Sequence, residues 1–104
     1  MPIVPFNQEI SLTTASAFTG NYQTNQPGSP KAFMFFKKSM NDLLSVSGAQ
    51  GIRFYNGQNS AGVLCLIAVA IDSNGNDITT KLMDKTVICP PDCGNANTLN
   101  HLLP

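Results

Sequence analysis

The sequence predicts an α+β domain: an antiparallel sheet of three to five strands with two helices packed on one face. Three observations carry this. Val63 to Ile71 is apolar without interruption, as a strand covered on both faces requires. Asn74-Gly75 follows it, a strong hairpin signal because both residue types tolerate positive φ. After residue 50 the connections are too short for crossover helices, which argues against a doubly wound parallel sheet.

Taken in order, residues 1–9 form an irregular arm, with Pro2 and Pro5 opposing any helix. Ser11 can cap a helix starting at Leu12, and Leu12, Ala15, Phe18 and Tyr22 then share one face. Thr13, Thr14 and Gly20 are poor helix formers, so packing must supply this helix with its stability. Asn25 to Pro30 is a loop signal. Phe36, Met40, Leu43 and Leu44 make a helical stripe that ends before Gly48, a glycine placed to cap it. Ala32 to Phe35 is ambiguous: Phe33 would extend the stripe backwards, yet an aromatic-rich run after a proline also fits a strand. We assign a strand at 31–35 and a helix at 37–46.

Ile52 and Phe54 alternate with Arg53 and Tyr55, giving a strand with one apolar and one amphipathic face. Asn56 to Gly62 connects it to the long apolar strand. Ile78 to Leu82, with Lys85 to Ile88 as a further candidate, would supply the return strands. The tail from Cys89 is loop-like, with Leu99, Leu102 and Leu103 able to dock on the body. The whole of residues 1–104 is expected to be a single domain.

The 104 residues should bury roughly two-thirds of the surface their unfolded chain exposes. Hydrophobic residues are 42% of the chain, so a core can form without metal or disulfide staples. Charged residues are only 12%, and the net charge is zero. A nucleic-acid partner is therefore not expected, since phosphate binding needs a basic surplus. Low charge weakens self-repulsion, which makes a second copy of the chain, or another protein, the expected partner. No signal-peptide pattern opens the sequence, and no apolar run approaches the roughly 20 residues a bilayer span needs, so no membrane partner is expected. Three cysteines is an odd number, and Cys65 lies in the apolar run like a small buried hydrophobe. Both facts point to a reducing, cytoplasmic setting.

Three segments in this order, SVSGAQGIRFYNG, AVAIDSNGNDI and VICPPDCG with its downstream Asn and Leu, resemble a group of small uncharacterised bacterial proteins of about this length. That group has no assigned activity, so the resemblance implies an architecture and no catalytic residue. Ala49 stands where the resemblance leads one to expect a cysteine, and Asp92 where an aromatic is common. Both departures weigh against cysteine chemistry linking these segments.

Arg53 and Tyr55 are the leading candidate binding residues: a guanidinium beside a phenol can clamp a carboxylate or phosphate, and such pairs also anchor interfaces. The plainer reading is an arginine stem packed across a ring on a sheet face. Cys89, Asp92 and Cys93 form a candidate thiol turn. Its two cysteines are separated by three residues, two of them proline, unlike the thioredoxin-type spacing that opens a helix. Zinc would need four ligands, and only His101 and Cys65 remain as soft donors, so neither a metal site nor a cofactor is expected. Asp72, Asn74, Asn76 and Asp77 mimic a calcium loop but place Asp77 at the glycine position and Met83 where the bidentate Glu belongs. A hairpin explains them. His101, the lone histidine, is expected to be solvated at the chain end. Two functions follow: a non-enzymatic binding or self-associating module using the Arg53/Tyr55 face or an edge strand, and a small thiol-based redox or metal-binding factor using the Cys89–Cys93 turn.

Overall fold

The computed structural model describes residues 2–102. Its elements follow in the order α1 (Leu12–Asn25), β1 (Ala32–Met34), α2 (Lys37–Leu44), β2 (Gly51–Gln58), β3 (Leu64–Ile71), β4 (Asp77–Met83) and β5 (Val87–Cys89). The fold is α+β. Contacts gather the described residues into two compact units, 2–6 with 34–86 and 7–33 with 87–102.

The first unit is built on the antiparallel sheet β2-β3-β4, with the long apolar strand at its centre. Three successive residues of β3, Ala68, Val69 and Ala70, are buried, so both faces are covered there. Its first half is only half-buried, Cys65 included, which departs from the expected burial of that thiol. α2 contacts all three strands. It lies on the face that carries Ala68 and Phe54, register partners, since Phe54 stacks at 5.6 Å on Phe35 just before the helix. The small side chains of Ala68 and Ala70 let the helix approach, and Leu43 is the residue that α2 buries completely. The expected stripe is narrower than predicted: Phe36 precedes the helix and Leu44 sits past its inner face, and both are exposed. Gly48 has φ +85°, but Ser45 is the C-cap and the glycine instead shapes the turn closed by Ala49 N–H to Val46 O.

Both hairpins use the same turn. Asp72-Ser-Asn-Gly75 and Asn59-Ser-Ala-Gly62 each close with the glycine N–H donating to the first residue's carbonyl. In each, the first side chain's Oδ1 accepts from the backbone N–H groups two and four residues on. Only the glycines, both at φ +81°, take positive φ; Asn74 does not, so the turn is a three-residue loop rather than the two-residue type its Asn-Gly dipeptide implies. β4 leaves its register after Ile78, which pairs Ala70, and resumes at Leu82, which pairs Val69. Thr79, Thr80 and Lys81 bulge out of the ladder and are exposed. The arm is tied to the β3–β4 turn through Ile3 N–H to Ser73 O at 2.9 Å.

The second unit holds α1, the β1-β5 pair and the tail. The predicted return strand near residue 88 is thus β5, paired to β1 and outside the three-stranded sheet. Ser11 caps α1 as expected, its Oγ accepting from Thr14 N–H at 3.1 Å. The helix packs through a face adjoining the one its apolar residues predict, of which Ala15 alone is half-buried. Leu12, Phe18 and Tyr22 are 62, 61 and 40% exposed. The polar positions Ser16, Thr19, Gly20 and Gln23 meet the tail instead, so hydrogen bonds rather than apolar burial hold this helix.

Candidate functional site

Arg53 and Tyr55 are two residues apart on β2 and so project from one face of the sheet. The structure brings a third group to them. Asp77, the first residue of β4, accepts from Arg53 Nη1 at 2.6 Å through Oδ1 and from the Tyr55 hydroxyl at 2.5 Å through Oδ2. Arg53 Nη2 donates to the Gly75 carbonyl at 3.1 Å. The guanidinium therefore crosses β3, on the face of Val69 and Ile71, and fastens the far hairpin. Tyr55, and behind it Asp77, raises the Arg53 pKa above its ordinary value against the opposing pull of burial.

The clamp for a carboxylate expected of Arg53 and Tyr55 is thus filled by a carboxylate of the same chain. From the sequence, Asp77 is expected only as a hairpin residue. Its signal was the spacing: it follows the turn glycine by two residues, where a strand leaving that turn starts on the face of Ile71, its register partner. Because the three groups work as one network, Asp77→Ala and Arg53→Ala should each lower stability, and the double variant should cost little more than either single one. A urea-denaturation double-mutant cycle measures this, and additive losses would show the groups to be independent.

Cys89 and Cys93 belong to the other unit and are joined by a disulfide. Cys89 is 4% exposed; Cys93 is half-buried. Asp92 is exposed and contributes its backbone N–H to Ile88 O at 3.1 Å. The tail beyond is loop-like yet strongly organised. Asn100, 9% exposed, accepts through Oδ1 from Asn97 and Leu102 N–H and donates through Nδ2 to the Cys93 and Asn95 carbonyls. Its own carbonyl accepts from Lys31 Nζ at 3.1 Å.

His101 is exposed, as expected at the chain end, but its ring is also hydrogen-bonded to α1. Its φ is +53°, and its ring lies against Gly20, where an added Cβ would meet it at 3.2 Å. Nε2 lies 3.0 Å from the Ser16 carbonyl and 3.2 Å from Thr19 Oγ1. A carbonyl only accepts, so Nε2 carries the proton and cannot serve Thr19 as a base. Leu99 and Leu102 stay 39 and 46% exposed; the tail docks through Thr98 Oγ1, the Leu99 carbonyl and His101 rather than through leucines. Leu103 lies outside the described residues.

Among the described residues, no three of His, Cys, Asp and Glu gather closely enough to hold a metal ion, and no helix is long and apolar enough to cross a membrane. A depression between Phe35, Phe36, Ser39 and the end of β4 includes none of the candidate residues. No family model, curated protein or solved structure matches the chain.

Proposed function

We propose that this chain is a non-enzymatic self-associating module, and that it joins a second copy of itself through the open edge of β2. The observation that carries this is the pairing pattern of that strand. Asn59 N–H donates to Val63 O at 3.0 Å, and the register runs on from there through Gly57 with Cys65, Tyr55 with Ile67 and Arg53 with Val69. In an antiparallel ladder such alternate residues exchange both bonds, so Ile52, Phe54, Asn56 and Gln58 turn their backbone groups away from β3.

β2 is eight residues long, holds no proline or lysine, and has a strand on one side only among the described residues. The other edge is blunted by the Thr79–Lys81 bulge, one of the usual defences of an edge. A second β2 suits this edge. The only charge on the strand is Arg53, already engaged by Asp77. Antiparallel pairing centred on Tyr55 sets Arg53 opposite Gly57 and Phe54 opposite Asn56 of the second copy, so no like charges meet. Phe54 and Tyr55, 48 and 45% exposed, would flank the seam. Zero net charge and the exposed Val4 and Phe6 of the arm, at 78 and 75%, support association further.

Size-exclusion chromatography with light scattering tests the proposal. The chain should be dimeric at high micromolar concentration, and Asn56→Pro, which removes an outward N–H, should make a folded monomer. Tyr55→Pro removes an inward N–H and should unfold the sheet instead. A strict monomer at that concentration overturns the reading, as does a dimer indifferent to Asn56→Pro.

A further inference from the structure

The tail is connected to the disulfide by an unbroken series of bonds. The Cys93 carbonyl accepts from Asn100 Nδ2 at 3.3 Å, and the Cys89 carbonyl accepts from Lys31 N–H at 2.6 Å. Lys31 in turn holds the Asn100 carbonyl through Nζ. Asn100 gathers residues 95, 97 and 102 around one buried amide. The residues next to it carry the docking bonds: Thr98 Oγ1 accepts from Ser16 Oγ at 2.9 Å, the Leu99 carbonyl accepts from Gln23 Nε2 at 3.1 Å, and His101 reaches Ser16 and Thr19. α1 has no buried residue of its own, so these bonds are what it packs with.

From this geometry we infer that the Cys89–Cys93 bond is a redox-sensitive latch that holds residues 94–102 on α1 and is opened by a small thiol reductant attacking Cys93. The direction of attack follows from burial. Cys89 is shielded and Cys93 half-open, so an incoming thiolate reaches Cys93 Sγ, and Cys89 Sγ leaves as the thiolate. A new sulfur–sulfur bond forms between reductant and Cys93 as the Cys89–Cys93 bond breaks. A second reductant thiolate then attacks the reductant sulfur of that mixed disulfide, releasing Cys93. Two electrons enter the protein, the two cysteine thiolates take up two protons, and the reductant leaves as its own disulfide. Opening the ring frees the backbone that presents the Cys93 carbonyl, so Asn100 loses a fixed acceptor and the docking residues lose their frame.

Hydrogen exchange of the whole chain, with and without dithiothreitol, tests the latch. Thiol titration should count one free thiol, Cys65, before reduction and three after it. On reduction, amide exchange in 94–102 and in α1 should rise at least about tenfold while β2, β3 and β4 keep their protection. Unchanged exchange in 94–102 with three thiols counted overturns the inference. So does an equal rise in the sheet, which would mean general destabilisation, and so do three free thiols in the oxidised chain. The attack direction has its own readout: glutathione disulfide should modify Cys93 in Cys89→Ser at least about tenfold faster than Cys89 in Cys93→Ser, as accessibility dictates, and equal rates overturn it.

Discussion

Replacing Leu43 by alanine is expected to lower the stability of the sheet-bearing unit by about 3 kcal/mol. Leu43 is completely buried, and it is the one side chain that α2 commits to the interior. Its removal strips the transfer energy of the missing carbons and leaves a void that the packed alanines Ala68 and Ala70 are too short to fill. The loss is a large share of what a domain of this size has in total, about 5–15 kcal/mol. Urea denaturation should show a lower midpoint with an unchanged slope. Leu43→Met, which conserves volume, should cost less than about 1.5 kcal/mol. A loss below 1 kcal/mol for the alanine variant (roughly that of an exposed position) would mean that α2 is not held by this contact.

The second large effect belongs to Asn100 in the other unit. Asn100→Ala is expected to cost about 2–3 kcal/mol, because it leaves the Cys93 and Asn95 carbonyls and the Asn97 and Leu102 N–H groups without partners. Asn100→Asp keeps the acceptor and loses the donor, and should be nearly as damaging. Hydrogen exchange should place the loss in α1 and residues 94–102, with the sheet spared. A uniform loss across the chain, or none, would show that Asn100 does not organise the tail.

These two residues differ in how legible they were. Leu43 lay in a helical stripe and was an expected core residue from spacing alone, although Phe36 and Leu44 beside it proved exposed. Asn100 carried no periodic signal; an asparagine in a Pro/Gly/Asn-rich tail reads as solvent-facing until its partners are located. The Asn59-Ser-Ala-Gly62 turn could have been found, since it repeats the side-chain and glycine positions of Asp72-Ser-Asn-Gly75. Arg53 and Tyr55 were found, but their Asp77 partner, 24 residues from Arg53, was not.

By itself the chain determined the elements whose causes lie within a few residues. Ser11 caps α1 because its hydroxyl reaches an N–H three residues on. Gly62 and Gly75 close the hairpins because they alone accept positive φ there. The β-branched and apolar run of β3 makes a strand that must be covered. Tertiary structure decided which face of α1 docks, where β5 pairs, and what Arg53 and Tyr55 hold. Each of those depends on groups distant in sequence meeting with their hydrogen bonds satisfied, a condition no local pattern encodes: a polar face can displace an apolar one as the docking surface when a tail supplies enough partners.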